Sequence, residues 1–280
     1  MRPTTTILSC LLVLAACRGE GPASPPGDGP AQRVVALAPN LAEIVAYAGG
    51  GDRLVARTRF TDTPASLRAL PDLGSGFEPD LEALAALRPD LVLMLEGWRG
   101  GPIAATVERL GVPVRYLRVE TTEDIADAVE AVGVALGLAD APGKADALRA
   151  AVAALAAAPP LGLRVLMLNG RRPLVAAGPG SWGDTVLRLA GARNALGDDI
   201  VRYPTLDHET VIDLDPDAVV DTSGYDGGPG AVGWADLAGV PAVRAGRVFA
   251  LADSSLLRPG PRVTEAAALL RAALVGGVPR

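Results

Sequence analysis

Few residues of this chain could carry out catalysis or hold a metal ion. The sequence has a single histidine, His208, and two cysteines, Cys10 and Cys17. A zinc or manganese site built from several imidazoles is therefore excluded. A Ser-His-Asp triad would have to use His208, and no serine stands in the Gly-x-Ser-x-Gly pattern of a nucleophile elbow. The residues indicate a binding protein with no metal site and no resident cofactor. An enzyme that uses His208 near neutral pH is the alternative.

The N-terminal residues have the pattern of an export signal. A positively charged residue precedes an apolar run, Ile7–Ala16, which is too short to cross a bilayer. Residues 14–17, Leu-Ala-Ala-Cys, resemble a bacterial lipobox, which implies cleavage before Cys17 and attachment of lipid to it. We therefore expect a lipoprotein signal peptide over residues 1–16 and a flexible Gly- and Pro-rich tether over residues 17–32. The expected location is periplasmic or otherwise extracytoplasmic and membrane-anchored, with a plain signal peptide as the alternative.

The charge balance argues against a nucleic-acid partner. The chain carries 26 Lys and Arg against 32 Asp and Glu, a formal net charge of −6. A mildly acidic protein lacks the basic surface that binds phosphate backbones. Cys10 would be removed with the signal peptide, so we expect no disulfide within the mature chain and a fold that depends on its hydrophobic core.

Strand and helix patterns alternate along the chain, which favours an α/β fold with parallel strands. We predict two similar α/β lobes with central parallel sheets, over residues 33–138 and residues 159–280. Within the second lobe, the segment Asn169–Gly183 is rich in Gly, Pro and Arg and is expected to be a loop.

The alanine-rich segment 139–158 predicts one long helix between the two lobes. Asp140 is a candidate N-cap and Pro142 suits the first turn, while Pro159 and Pro160 end the helical pattern. We interpret the segment as a rigid connection between the lobes, with an ordinary surface helix as the alternative.

An internal repeat supports duplicated lobes. The segment 82–92 and the segment 209–219 share the pattern Glu, apolar residue, Leu, Pro-Asp and Val at identical spacing. Each copy predicts a helix with a glutamate in its first turn, followed by a Pro-Asp turn and a buried strand. Glu82 and Glu209 are therefore candidates for docking on a partner, one on each lobe. Their alternative role is a favourable interaction with the helix dipole.

Aromatic and arginine side chains stand in predicted loops, where α/β folds bind ligands. The candidates for ligand binding are Phe60, Trp98, Arg99, Tyr203 and Arg258. Flat aromatic faces suit a large planar or macrocyclic ligand, and arginines suit its acidic groups. Alternatively, each aromatic ring fills its own loop and each arginine is a solvated surface charge. Loops of the same kind also contain Phe77, Arg171 and Trp182.

Several short motifs follow one another along residues 33–274. They are Leu37-Ala38-Pro39-Asn40 with Glu43, Arg88-Pro89-Asp90-Leu91-Val92, Trp98-Arg99-Gly100-Gly101, Leu110-Gly111-Val112-Pro113, Leu189-Ala190-Gly191-Ala192-Arg193-Asn194 and Pro216-Asp217-Ala218-Val219. In these motifs the chain resembles the helical-backbone (class III) substrate-binding proteins of ABC importers, and among them it is most similar to the cobalamin (vitamin B12) binders.

The resemblance implies a monomer that captures a corrinoid between its lobes. Delivery would be to an ABC permease dimer with its ATPase subunits, with Glu82 and Glu209 docking on permease arginines. Phe60, Trp98 and Tyr203 would lie near the corrin ring. Haem or a ferric siderophore is the alternative ligand. Haem-binding relatives often place a tyrosine ligand near Phe77, and phenylalanine cannot coordinate iron.

Overall fold

The computed structural model describes residues 29–224 and 234–276 of the chain. The predicted signal peptide, with Cys10, and most of the predicted tether, with Cys17, lie outside these residues. In the part of the chain that the structure describes, no helix is both long and apolar enough to cross a membrane.

The first lobe is built on a four-stranded sheet in the order β2-β1-β5-β6, with all neighbouring strands parallel. Its elements are β1 (Val34–Ala36), α1 (Pro39–Ala48), β2 (Leu54–Ala56), β3 (Gly74–Ser75), β4 (Glu78–Pro79), α2 (Leu81–Ala86), β5 (Leu91–Leu95), α3 (Pro102–Glu108), β6 (Val114–Leu117) and α4 (Thr122–Leu136). The short strands β3 and β4 form a separate hairpin.

Helix α5 (Ala141–Ala156) leads from the first lobe to the second. The second lobe contains β7 (Arg164–Arg171), β8 (Leu174–Ala176), α6 (Trp182–Leu189), β9 (Arg193–Asn194), β10 (Thr205–Leu206), α7 (His208–Leu214), β11 (Ala218–Asp221), α8 (Pro241–Arg244), β12 (Val248–Ala250) and α9 (Val263–Gly276). Its sheet has the order β10-β8-β7-β11-β12, and β9 also pairs with β7.

The predicted α/β fold with parallel sheets is confirmed, and the second sheet has an antiparallel extension. Strands β7, β9, β11 and β12 are parallel, whereas β8 is antiparallel to both β7 and β10. The expectation of a loop over Asn169–Gly183 is therefore wrong over most of its length. The polar residues Asn169–Arg171 continue β7 because they form a hairpin with β8, and α6 begins at Trp182.

One hydrophobic core runs through both lobes. Alternate residues of the strands point to opposite faces of each sheet, so Val34 and Leu93 of the first sheet enter the same buried cluster as Val165 and Met167 of the second. The opposite faces have separate clusters, one in each lobe. The two lobes are therefore packed against each other as well as joined along the chain.

Helix α5 is shorter than predicted and is packed along one side. Its 16 residues correspond to about 24 Å of helix. Ala141, Ala145 and Leu148 are buried against the core, and the close approach to α4 depends on Gly133, since a Cβ there would lie 2.2 Å from the Cβ of Ala141. Asp140 precedes the helix, but its side chain makes no capping hydrogen bond, so that expectation is wrong.

Candidate ligand cleft and docking residues

Two polar contacts join the lobes at opposite ends of their sheets. At one end, the Arg258 guanidinium donates from Nη1 to the carbonyl oxygen of Phe60 at 3.0 Å. At the other end, Arg202 Nη1 lies 3.8 Å from Glu120 Oε2, and both of these side chains are exposed.

The order of the strands shows how far apart these contacts lie. Phe60 follows β2 and Glu120 follows β6, the two edge strands of the first sheet. In the second lobe, Arg258 follows β12 and Arg202 precedes β10, again the two edge strands. The space between the contacts is the candidate ligand cleft, bordered on the first lobe by the carboxyl ends of parallel strands.

A further ion pair supports the Arg258 end of the cleft. Arg262 donates to both carboxylate oxygens of Glu43 on α1, at 3.0 and 3.2 Å, and to Ser254 Oγ at 2.6 Å. Burial opposes the charge of Arg262, but its bonds to Glu43 outweigh burial and raise its pKa. The side chain of Asn40 adds a hydrogen bond to the carbonyl of Pro259 at 3.0 Å. This end of the cleft is held firmly, because its charges are paired and largely shielded from water.

Phe60 and Tyr203 are exposed rings on opposite lobes. Their exposed fractions are 54% and 50%. Val201, beside Tyr203, is also exposed, at 70%. Sequence reasoning missed Val201, because a single apolar residue in a loop has no periodic pattern to mark it.

Trp98 lies at the margin of the hydrophobic core. It is partly buried, packs against the first lobe's hydrophobic clusters, and meets the Phe77 ring at a centroid distance of 4.9 Å. The Phe77 ring itself is 69% exposed. Gly76 permits this arrangement, since a Cβ there would lie 1.9 Å from the carbonyl oxygen of Leu37. The partly buried Trp98 ring therefore packs against the exposed Phe77 ring and restricts its position.

Arg99 makes local bonds on the first lobe. It forms a bidentate pair with Glu96, at 2.6 and 2.8 Å, and its guanidinium lies 4.0 Å from the ring centroid of Tyr116. Tyr116 in turn donates to Glu108 at 2.6 Å, and burial together with this bond raises the pKa of Tyr116 to about 12. A role for Arg99 at a ligand's acidic group stays a prediction. In that role the acidic group would have to compete with Glu96 for the guanidinium.

Two residues that the sequence placed in loops lie in regular elements and have structural roles. Trp182 is 4% exposed and donates from Nε1 to the carbonyl of Ser255 at 2.8 Å, so it belongs to the core. Arg171, at the end of β7, lies 3.5 Å from Asp221 and 3.9 Å from the Trp234 ring centroid.

The two candidate docking residues occupy equivalent positions in the structure. Glu82 and Glu209 are exposed and lie in the first turns of α2 and α7. The helix that carries each glutamate is capped by an aspartate: Asp80 accepts from the amide of Ala83 at 2.9 Å, and Asp207 accepts from the matching amide in α7 at 2.8 Å. The predicted repeat is thus present in the structure as well as in the sequence.

The Pro-Asp turns fix each docking helix to the first strand of its lobe. Asp90 accepts from the backbone amide of Arg33 at 3.0 Å, and Asp217 accepts from that of Arg164 at 2.8 Å. The residue before each Pro, Arg88 or Asp215, has a positive φ, a backbone conformation that residues other than glycine rarely adopt. Each glutamate is therefore carried by its own copy of the same unit, a capped helix whose following turn is bonded to the first strand of the lobe.

His208, next to Glu209, is exposed on α7. Within residues 29–224 and 234–276, no cluster of three or more His, Cys, Asp and Glu side chains has the arrangement of a metal site.

The chain is similar to known proteins over most of its length. The family described as periplasmic binding protein matches residues 34–254. The vitamin B12-binding protein of Vibrio parahaemolyticus is 30% identical over 247 residues, covering 85% of this chain and 87% of that protein.

Solved structures of the same kind are similar over most of the chain. The periplasmic vitamin B12 binding protein of Vibrio cholerae has a TM-score of 0.72 at 26% identity, covering 88% of this chain and 97% of the other. A periplasmic heme binding protein from Pseudomonas aeruginosa has a TM-score of 0.69 at 31% identity, covering 87% and 92%.

Proposed function

Because this chain belongs to the periplasmic binding protein family, we propose that it captures a corrinoid such as cobalamin and delivers it to an ABC permease. Proteins of this family bind small molecules outside the cytoplasm and hand them to ABC transporters. The proposal assigns the ligand to the cleft between the two interlobe contacts and assigns no enzymatic activity to the chain.

The observation that carries the proposal is a set of exposed aromatic rings on both lobes. Phe60 and Phe77 are exposed on the first lobe, Trp98 supports Phe77, and Tyr203 is exposed on the second lobe. Exposed rings on both lobes are the kind of groups that would stack on the two faces of a broad macrocycle. The B12-binding relatives favour a corrin as that macrocycle.

Haem is the second candidate, and one residue favours it. Tyr203 carries an exposed phenol on the second lobe, and a phenolate can serve as an axial ligand of haem iron. The likeness to a heme-binding protein at 31% identity supports the same reading. Against haem, Phe77 has a ring without a coordinating oxygen.

Titration calorimetry of the purified protein with cyanocobalamin tests the proposal. We expect saturable binding in the micromolar range or tighter, and no heat of binding at about 100 μM ligand would overturn it. A parallel titration with haemin, followed by the Soret band, separates the candidates. A sharp Soret shift that is lost in Tyr203→Phe, without cyanocobalamin binding, would establish the haem alternative.

The proposal also places the protein on a membrane surface as a monomer. The lipobox-like residues 14–17 support cleavage before Cys17 and lipid attachment there. Two or more acyl chains would hold the protein stably at the bilayer. Mass spectrometry of the mature N-terminus should find a diacylated or triacylated Cys17 and no residues 1–16. An unmodified N-terminus at another position would overturn the anchor.

A further inference from the structure

The loop that carries Phe60 is held by arginines at its backbone carbonyls. Arg57 Nη1 donates to the carbonyls of Thr58 and Arg59, at 3.2 and 3.3 Å. Arg68 Nε donates to the carbonyl of Asp62 at 3.0 Å, and Arg258 Nη1 donates to that of Phe60 at 3.0 Å. A guanidinium has several donors fixed in one plane, so it can hold a loop backbone in one conformation.

Arg258 differs from the other two because it belongs to the opposite lobe. It lies between β12 and α9, 198 residues further along the chain than Phe60. Its own backbone is fixed, since its amide donates to the carbonyl of Ser254 at 3.0 Å. Its side chain is largely buried and also lies 3.8 Å from Asp62 Oδ1.

The neighbouring ion pair between Arg262 and Glu43 helps to hold Arg258 at the carbonyl of Phe60. Arg262, four residues after Arg258, holds Glu43 of α1 with two hydrogen bonds. The side chain of Glu43 is only 7% exposed, so a change in the angle between the lobes would separate a buried pair. The spacing between the second lobe and the Phe60 loop is therefore set before any ligand arrives.

We propose that Arg258 is a positioning residue for the cleft: it acts on the bound ligand through Phe60, whose carbonyl it holds from the opposite lobe. Sequence reasoning placed Arg258 in direct contact with the ligand, and this inference replaces that role. It rests on the proposed function for the ligand and for the contact of Phe60 with that ligand, whereas the hold of Arg258 on the Phe60 loop can be measured without a ligand. Preorganisation of this kind raises affinity by lowering the cost of ordering the loop on binding.

A double-mutant cycle on cyanocobalamin affinity tests the proposal. We expect Arg258→Met to weaken binding by about tenfold, the effect of losing a hydrogen bond from a charged donor. In a Phe60→Ala background, the same substitution should change affinity by less than about twofold. Equal losses in both backgrounds would show direct contact with the ligand and overturn the proposal. Arg258→Lys should restore part of the affinity, since its ammonium can still donate to the carbonyl.

A ligand-free measurement separates failure of this proposal from failure of the proposed function. The chain has three phenylalanines, so labelling with 4-fluorophenylalanine gives three ¹⁹F signals, of which Phe60 is identified by Phe60→Leu. Arg258→Met should shift or sharpen the Phe60 signal and leave those of Phe77 and Phe249 in place. Arg202→Met, at the other interlobe contact, is the matched control and should leave all three signals unchanged. A Phe60 signal that neither shifts nor sharpens in Arg258→Met refutes the proposal, whether or not cyanocobalamin binds.

Discussion

Asp217 and Arg164 are joined by a reciprocal pair of hydrogen bonds. The backbone amide of Arg164 donates to Asp217 Oδ2 at 2.8 Å, and the amide of Asp217 donates to the carbonyl of Arg164 at 2.8 Å. Asp90 and Arg33 form the same pair in the first lobe. In each lobe, one carboxylate fixes the turn after the docking helix to the start of the first strand.

Replacing Asp217 should destabilise the protein. Asp217→Ala leaves the Arg164 amide without its carboxylate acceptor, and we expect the free energy of unfolding to fall by about 1–3 kcal/mol. Urea denaturation followed by circular dichroism measures the change. Asp213→Ala removes an exposed acid from α7 and serves as the control. Equal stability of Asp217→Ala and Asp213→Ala would contradict this role.

The two glutamates that we propose for docking, Glu82 and Glu209, should affect transport without affecting capture. In the double variant Glu82→Ala, Glu209→Ala, we expect cobalamin uptake by the intact transporter to be abolished while the affinity of the isolated protein is unchanged. Both side chains are exposed on helix turns that face away from the hydrophobic core, so their loss should leave the fold intact. Uptake at the wild-type rate would refute docking through these residues.

Gly76 should tolerate no side chain. In Gly76→Ala, the new Cβ would meet the Leu37 carbonyl oxygen, and we expect stability to fall by about 3 kcal/mol as Phe77 moves off Trp98. Thermal unfolding and tryptophan fluorescence report the two effects. Gly97→Ala is the matched control, since a Cβ there has no atom within 4 Å. A Gly76→Ala protein with wild-type stability and fluorescence would contradict the packing described.

The capping box of α4 should give stability that depends on pH. Burial opposes the charge of Asp124, but hydrogen bonds from Thr121 and Glu120 and the charge of Arg118 outweigh it and lower the pKa of Asp124. A lowered folded-state pKa gives stability that is present above the unfolded-state pKa, about 4, and is lost as pH falls through the folded-state value. The difference in melting temperature between wild type and Asp124→Asn should therefore be largest at pH 7 and shrink below about pH 4. A difference that does not vary from pH 7 to pH 3 would show that the charge is unimportant.

The angle between the lobes should change little on ligand binding. The shared core and the Glu43–Arg262 pair both resist opening. Small-angle scattering curves with and without ligand should superimpose, and a large contraction on binding would contradict this expectation.

The local elements were the most predictable part of the fold. Helix α7 (His208–Leu214) forms where the repeat predicts a helix with Glu209 in its first turn, because Asp207 caps its start and Pro216 follows its end. The hairpin of β7 and β8 was not predictable, since the polar residues at the end of β7 form a strand only through their pairing with β8. Polar residues and glycine at the end of a strand lack the apolar alternation that marks a strand in the sequence.

The sequence predicted which residue types would be candidates for the site, but not which residues their side chains would bond to. Sequence reasoning marked Arg99 and Arg258 as cations available to a ligand. The structure shows Arg99 paired with Glu96 and Arg258 bonded to the carbonyl of Phe60. The contact between Arg258 and Phe60 crosses 198 positions and two lobes, so only the folded chain reveals it.

The core that runs through both lobes has a consequence for how the protein unfolds. A chain cut after residue 138 would lose α5 and expose the apolar side of α4 to water, so neither half should be stable when made separately. The lobes should melt together, as a single calorimetric transition whose van't Hoff and measured enthalpies agree. The two lobes would then unfold as one cooperative unit, although each has its own sheet.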